Sequence, residues 1–206
     1  MYFTKTPPVL KQIASDLLWN VKTDHKELFL TFDDGPIPGV TPAILDILKE
    51  YNAKGTFFCV GENVLKHPEI FERIKREGHA IGNHTTKHLH GWKTAHFTYL
   101  RNYLKCDRIT GNSGLFRPPY GRITPAQVNS IKKRSTIVMW DVLSGDFDQS
   151  LSSSDCARTV ISKSKPGSII VLHDSLKSEE RVLGALPLIL EHFKEYVFKP
   201  LKPTLK

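Results

Sequence analysis

Short apolar runs that end in polar or turn residues alternate along this chain with longer segments whose apolar positions recur at helical spacing. The clearest run, Leu28-Phe29-Leu30-Thr31-Phe32, stops at Asp33-Asp34-Gly35-Pro36 and reads as a buried strand. Further strands are predicted over 54–60, 79–82, 115–117, 135–140 and 168–172. Helices are predicted over 7–20, with Val9, Ile13, Leu17 and Leu18 on one face, and from a Thr41-Pro42 cap through Ile44, Leu45, Ile47 and Leu48. Others span 62–78 with a break at Pro68, 95–109, 124–134, 154–164 and 178–196, the last tolerating Pro187. Strand and helix in alternation predict an α/β architecture with mostly parallel strands. No repeat or linker divides it, so residues 1–206 form one domain.

The strand ends are where polar chemistry collects: Asp33-Asp34, His84, Arg117, Asp141 to Asp146, and His173. In barrel-like α/β folds the carboxyl-end rim of the strands is the place for an active site. Two adjacent carboxylates are costly unless a cation or a proton separates their roles. A surface turn is the ordinary reading of Asp-Asp-Gly alone. His84-Thr85-Thr86-Lys87-His88 puts two imidazoles four residues apart, on one face if the segment turns helically. Such a pair is weak evidence by itself; beside a strand-end carboxylate it becomes a candidate metal set with open positions for water or substrate.

Composition changes this picture little. The 206 residues suffice for a real core, and no apolar run approaches the roughly 20 residues of a membrane span. Cys59, Cys106 and Cys156 are odd in number and widely spaced, which suggests neither a zinc knuckle nor a disulfide framework. The net charge of +8 is spread along the chain without an aromatic-basic nucleic-acid motif. It is read as a solvated surface that favours an acidic or cell-wall polymer over nucleic acid. The N-terminal stretch lacks a signal-peptide pattern. The expectation is a cytoplasmic monomer if Met1 is the native start, and an extracytoplasmic one if a leader has been lost.

Five motifs then occur in a fixed order: Thr31-Phe32-Asp33-Asp34-Gly35-Pro36, His84-Thr85-Thr86-Lys87-His88, Arg117-Pro118-Pro119-Tyr120-Gly121, Asp141 to Phe147, and Leu172-His173-Asp174. In this the chain resembles the polysaccharide deacetylases, the carbohydrate esterase family 4 with its NodB-homology domain. The resemblance implies a distorted (β/α) barrel of about seven strands and a metal-dependent N-deacetylase of N-acetylglucosamine-containing glycans, of chitin-oligosaccharide or peptidoglycan type. It implies that Asp34, His84 and His88 hold one divalent metal, most often Zn2+, with Co2+, Ni2+ or Mn2+ as alternatives. Asp33 would be the general base, kept ionised and oriented by Arg117. The Tyr120 backbone N–H would hold the oxyanion, and His173 would be the general acid, supported by Asp146. Leu172, Pro118, Phe147 and the Tyr120 side chain would line the substrate pocket, and Trp92 is the better sugar-stacking candidate of Trp92 and Trp140.

The chemistry is coherent without the resemblance. An amide is a poor electrophile with a poor leaving group. A metal polarises its carbonyl and lowers the pKa of water, to about 7 in zinc sites, and an imidazole can protonate the departing amine near neutrality. One departure stands out: Asp146-Phe147 replaces the family's Asp-Trp, which bears on substrate preference more than on activity. Asp141 remains an alternative to Asp146 as the partner of His173. Three other functions compete: an O-acetyl esterase using the same residues, a non-catalytic carbohydrate-binding relative, and nucleic-acid binding with steep salt dependence and no need of metal.

Overall fold

The computed structural model describes residues 2–204. Its centre is strand β1 (Glu27–Asp33), buried throughout after its first residue. It pairs in parallel with β2 (Gly55–Cys59) on one side and β7 (Ile169–His173) on the other. The sheet continues through β3 (Ala80–Asn83), β4 (Leu115–Phe116) and β5 (Thr136–Ile137) beyond β2, and through β6 (Val142–Leu143) beyond β7. These seven strands run in the order β5-β4-β3-β2-β1-β7-β6. They form an open, curled half-barrel. A short β8 (Val197–Phe198), unforeseen in the sequence pattern, pairs with the start of β1.

The period-two alternation of β1 sends its side chains to two different environments. Leu28, Leu30 and Phe32 join Ile170 and Leu172 in the main core. That core is covered by α2 (Val40–Glu50), α7 (Ser153–Lys163) and α8 (Glu179–His192), with α4 (Pro68–Arg76) at its margin. Full burial of each such Leu or Phe is worth roughly 1.5–3 kcal/mol. Phe29 faces the other way, into a second cluster with Phe58, Val138 and Ile169. Thr31 and Asp33 share that second face by the same alternation. The strand therefore spends one face on stability and offers the other, at its end, to chemistry.

Several sequence expectations need correction. The helix expected over 7–20 is only α1 (Pro8–Ile13), with Val9 and Ile13 56% and 78% exposed. A six-residue helix gains little without an apolar face to bury. The chain instead runs on as an extended lace whose Leu18 and Asn20 bridge Val138 and Ser168. The strand expected over 135–140 is two: β5 and β6 lie at opposite edges of the sheet, and residues 138–141 cross the gap between them. The second helix starts at Val40 after Gly39, not at a Thr41 cap. Thr41 instead accepts from the Ile37 N–H and donates to Asp174. The remaining helices, α3 (Gly61–Lys66), α5 (His96–Ile109) and α6 (Pro125–Ile131), lie within the predicted spans or a residue of them, and Thr124 closes a capping box with Gln127.

Candidate active site

Parallel register builds the site. Asp33 and His173 are the last residues of β1 and β7 and are paired Cα to Cα, one residue above the Phe32–Leu172 pair. Neighbouring strands lie about 4.8 Å apart, so two groups 140 residues distant in sequence meet on one edge. The turn after β1 places Asp34 in the left-handed region (φ 91). Its carbonyl accepts from Asn63 Nδ2 at 2.8 Å.

His84 and His88 do not sit on a helix. Thr85 and His88 have positive φ (63 and 52) and the segment is a tight loop after β3. Both imidazoles are nonetheless aimed by their Nδ1 atoms. His84 Nδ1 lies 2.8 Å from the Arg117 carbonyl oxygen, and His88 Nδ1 lies 3.2 Å from the Tyr120 hydroxyl. The Nε2 atoms face Asp34 Oδ1, that of His84 at 3.8 Å and that of His88 at a hydrogen-bonding 3.2 Å. Asp34, His84 and His88 thus offer one ligand atom each, all within 4.8 Å of one another. Two imidazoles and a carboxylate, with outer contacts fixing both rings, are a donor set suited to a divalent cation.

The charge states agree with that use. Burial pushes the His84 imidazole down to about 4, overriding Asp33 and Asp34, so the ring is neutral and free to ligate. Asp34 is pushed up by burial, but the His88 hydrogen bond and the three neighbouring imidazoles hold it well below the usual carboxylate range.

Arg117 is fully buried, and each of its contacts has an evident purpose. Its Nη1 donates to Asp33 Oδ1 and to Thr31 Oγ1, both at 2.7 Å, and Nη2 donates to the Met139 carbonyl at 2.8 Å. The guanidinium also stacks 4.3 Å from the Phe58 ring centroid. Thr31, which passes its own proton to the Ile170 carbonyl, is a participant that sequence reasoning missed. Its place two residues before Asp33, on the same face, was the available signal.

On the other flank, His173 Nδ1 is 2.7 Å from Asp146 Oδ1, and Asp146 Oδ2 accepts from the His173 backbone N–H. Burial disfavours the imidazolium, but Asp146, with Asp34 and Asp33 behind it, raises His173 to about 9. Asp141, the alternative partner, is excluded. Its carboxylate is taken by Lys5, Lys11 and Ser168. Asp174, one residue further, is buried and accepts from Gly35 N–H at 2.9 Å and Thr41 Oγ1 at 2.7 Å. Burial pushes it up to about 8.

Leu172, expected in the substrate pocket, instead shares the core face of Phe32 and is fully buried, because alternate residues of a strand face opposite ways. Phe147 does reach the centre and meets the His173 ring edge-on at 5.4 Å. Pro118 is buried at the turn that leads to Tyr120 (φ 59), whose side chain is 60% exposed. Trp92 is 59% exposed and anchored by a bond from Nε1 to the Ile123 carbonyl, with Arg122 stacked over it at 4.3 Å. Its neighbours His90 and Tyr120 link it by ring contacts to His88. Arg122 was not anticipated, because nothing marks a lone surface Arg in sequence.

The fold and this rim define the class. The polysaccharide deacetylase family profile matches residues 20–136, and the chain belongs to that family. It is 41% identical over 155 residues to a peptidoglycan-N-acetylglucosamine deacetylase of Bacillus cereus, covering 72% of this chain and 56% of that one. It is 33% identical to a chitooligosaccharide deacetylase of Azorhizobium caulinodans, over 79% of this chain and 80% of the relative. The crystal structure of the Bc1960 peptidoglycan N-acetylglucosamine deacetylase, bound to an N-oxidanyl-benzamide, superposes with a TM-score of 0.87 at 33% identity, covering 95% of each chain. This chain therefore spans only about half of the first of these relatives and nearly all of the third.

Proposed function

We propose that this protein is a metal-dependent hydrolase that removes N-acetyl groups from N-acetylglucosamine-containing poly- or oligosaccharides. The observation that carries the reading is the convergence of Asp34, His84 and His88 between a buried Arg117–Asp33 pair and an Asp146–His173 pair. A divalent cation, which we take to be zinc, would be held by these three ligands and would supply Lewis acidity toward the acetyl carbonyl and ease deprotonation of water.

The rest falls to the chain's own groups. Asp33, with Oδ1 held by Arg117, takes the proton of the attacking water on its other oxygen. Arg117 fixes the orientation of that oxygen. The Tyr120 backbone N–H is the fixed donor for the oxyanion, a group whose loss typically costs about 10²–10³ in rate. His173, held protonated by Asp146, gives its proton to the departing sugar nitrogen, and acetate and a free amine result. Phe147 and Pro118 line the acetyl pocket, and Trp92 and the Tyr120 ring form a shelf for adjoining sugars.

The test is acetate release from N-acetylglucosamine oligomers, peptidoglycan fragments and acetylated xylan, each with and without a chelator. Release from the first two, abolished by chelator and restored by zinc, is the expected result. Release from acetylated xylan alone would make the enzyme an O-acetyl esterase. Release from none would end the hydrolytic reading.

A further inference from the structure

The loop that carries Asp146 and Phe147 follows a two-residue edge strand, β6, and its own turn needs Gly145 at φ 85. So short a strand supplies few ladder bonds, yet the loop must hold a carboxylate on His173. The chain's N-terminal residues supply what the ladder lacks. The Leu143 N–H donates to the Thr4 carbonyl at 3.0 Å, and Lys5 bridges Val142 in antiparallel fashion. Lys5 Nζ meets Asp141 at 2.6 Å. Ahead of these, the Tyr2 hydroxyl donates to Asp148 Oδ2 at 3.0 Å, and its ring packs on Phe147 at 4.9 Å. The hydroxyl lies 3.0 Å from where a Cβ at position 145 would be, so a side chain there would crowd it. Phe147 in turn meets the His173 ring. Tyr2, Phe147 and His173 are therefore three rings in a row, with the outermost contributed by the far end of the sequence.

We propose that residues 2–6 are a strap that positions the Asp146–Phe147 loop, and that Tyr2 is the positioning residue by which the strap acts on His173. Tyr2 is not a catalytic residue, since Phe147 stands between it and the acid. The strap, like the loop it holds, lies outside the residues 20–136 that the family profile matches. The proposal rests on the hydrolytic reading only where it invokes the proton donor; the mechanical part is independent of it.

Two measurements separate these parts. The first is hydrogen exchange of the full chain and of Tyr2→Ala. Loss of protection confined to residues 142–149, with β1 and β2 unchanged, is expected. Unchanged protection in 142–149 would overturn the strap, whatever the protein catalyses. The second compares an N-acetylated sugar oligomer with an activated aryl acetate, whose leaving group needs no proton. Tyr2→Ala should lower kcat on the amide by about tenfold and on the aryl ester by less than about twofold, because only the first reaction uses the acid. Tyr2→Phe, which keeps the ring, should retain most of the amide activity, and bound zinc should be the same in all three proteins. Equal losses on both substrates would mean general loosening and would overturn the role assigned to Tyr2. Absence of amide turnover in the unaltered protein would refute the hydrolase, while the exchange result would still decide the strap.

Discussion

Arg117 gives the most demanding test of the site's physics. Its guanidinium is completely buried, and its single carboxylate partner, Asp33, is nearly so. Burial pulls the Arg117 pKa down while Asp33 pushes it back up. A buried pair adds little over an apolar pair of the same shape, yet breaking it by removing one partner costs about 3–5 kcal/mol, because a charge is left buried alone. Arg117→Met should fall in that range, and it also strips donors from Thr31 and from the Met139 carbonyl. Asp33→Asn keeps an oxygen for Nη1 and should be milder, roughly 1–3 kcal/mol. Adding Asp33→Asn to Arg117→Met removes the stranded charge, so the double variant should be more stable than the sum of the single losses by about 2 kcal/mol. Urea unfolding of the four proteins measures this directly. Additivity within about 0.5 kcal/mol would refute a coupled buried pair. Should the activity reading hold as well, Arg117→Lys would fold but turn over poorly, since an ammonium cannot reproduce the fork that spans Asp33, Thr31 and Met139.

Other expectations follow from single contacts. Asp33→Asn and His173→Ala should each abolish most acetate release while bound zinc, measured by elemental analysis, stays near stoichiometric; His84→Ala should lose both, and normal zinc in that variant would contradict the ligand set. Asp174 is raised by burial to about 8, so its stabilising contribution is complete below the ordinary carboxylate pKa and is lost as pH climbs through about 8. In chelator-treated protein, Asp174→Asn should therefore flatten the fall in unfolding free energy between pH 5 and pH 8; an unaltered slope would place the titration elsewhere. Trp92→Ala should raise KM on longer oligosaccharides with little change in kcat, as expected of an aromatic shelf that binds substrate and transition state alike; a loss in kcat alone would assign Trp92 to the chemistry instead.

Local pattern was enough to determine much of this protein. Strand β1 and its terminal carboxylates, the helix punctuation at Pro68 and at Thr124-Pro125, and the carboxyl-end placement of Arg117 and His173 were legible, because side-chain period and turn chemistry are properties of a few adjacent residues. Family membership was equally legible, since five motifs in order carry it. What sequence could not decide was how elements met. Sequence favoured Asp146 over Asp141 only through the aromatic that follows it; the fold commits Asp141 to Lys5 and Lys11 and Asp146 to His173. The expected helix over 7–20 failed because Val9 and Ile13 had no surface to bury against, while Leu17 and Leu18 pack as non-helical chain that bridges to Val138 and Ser168. The aiming of His84 and His88 by an Arg117 carbonyl and a Tyr120 hydroxyl, and the reach of Tyr2 to Phe147, are likewise contacts between distant segments, fixed by the registry of the strands and the curl of the open sheet.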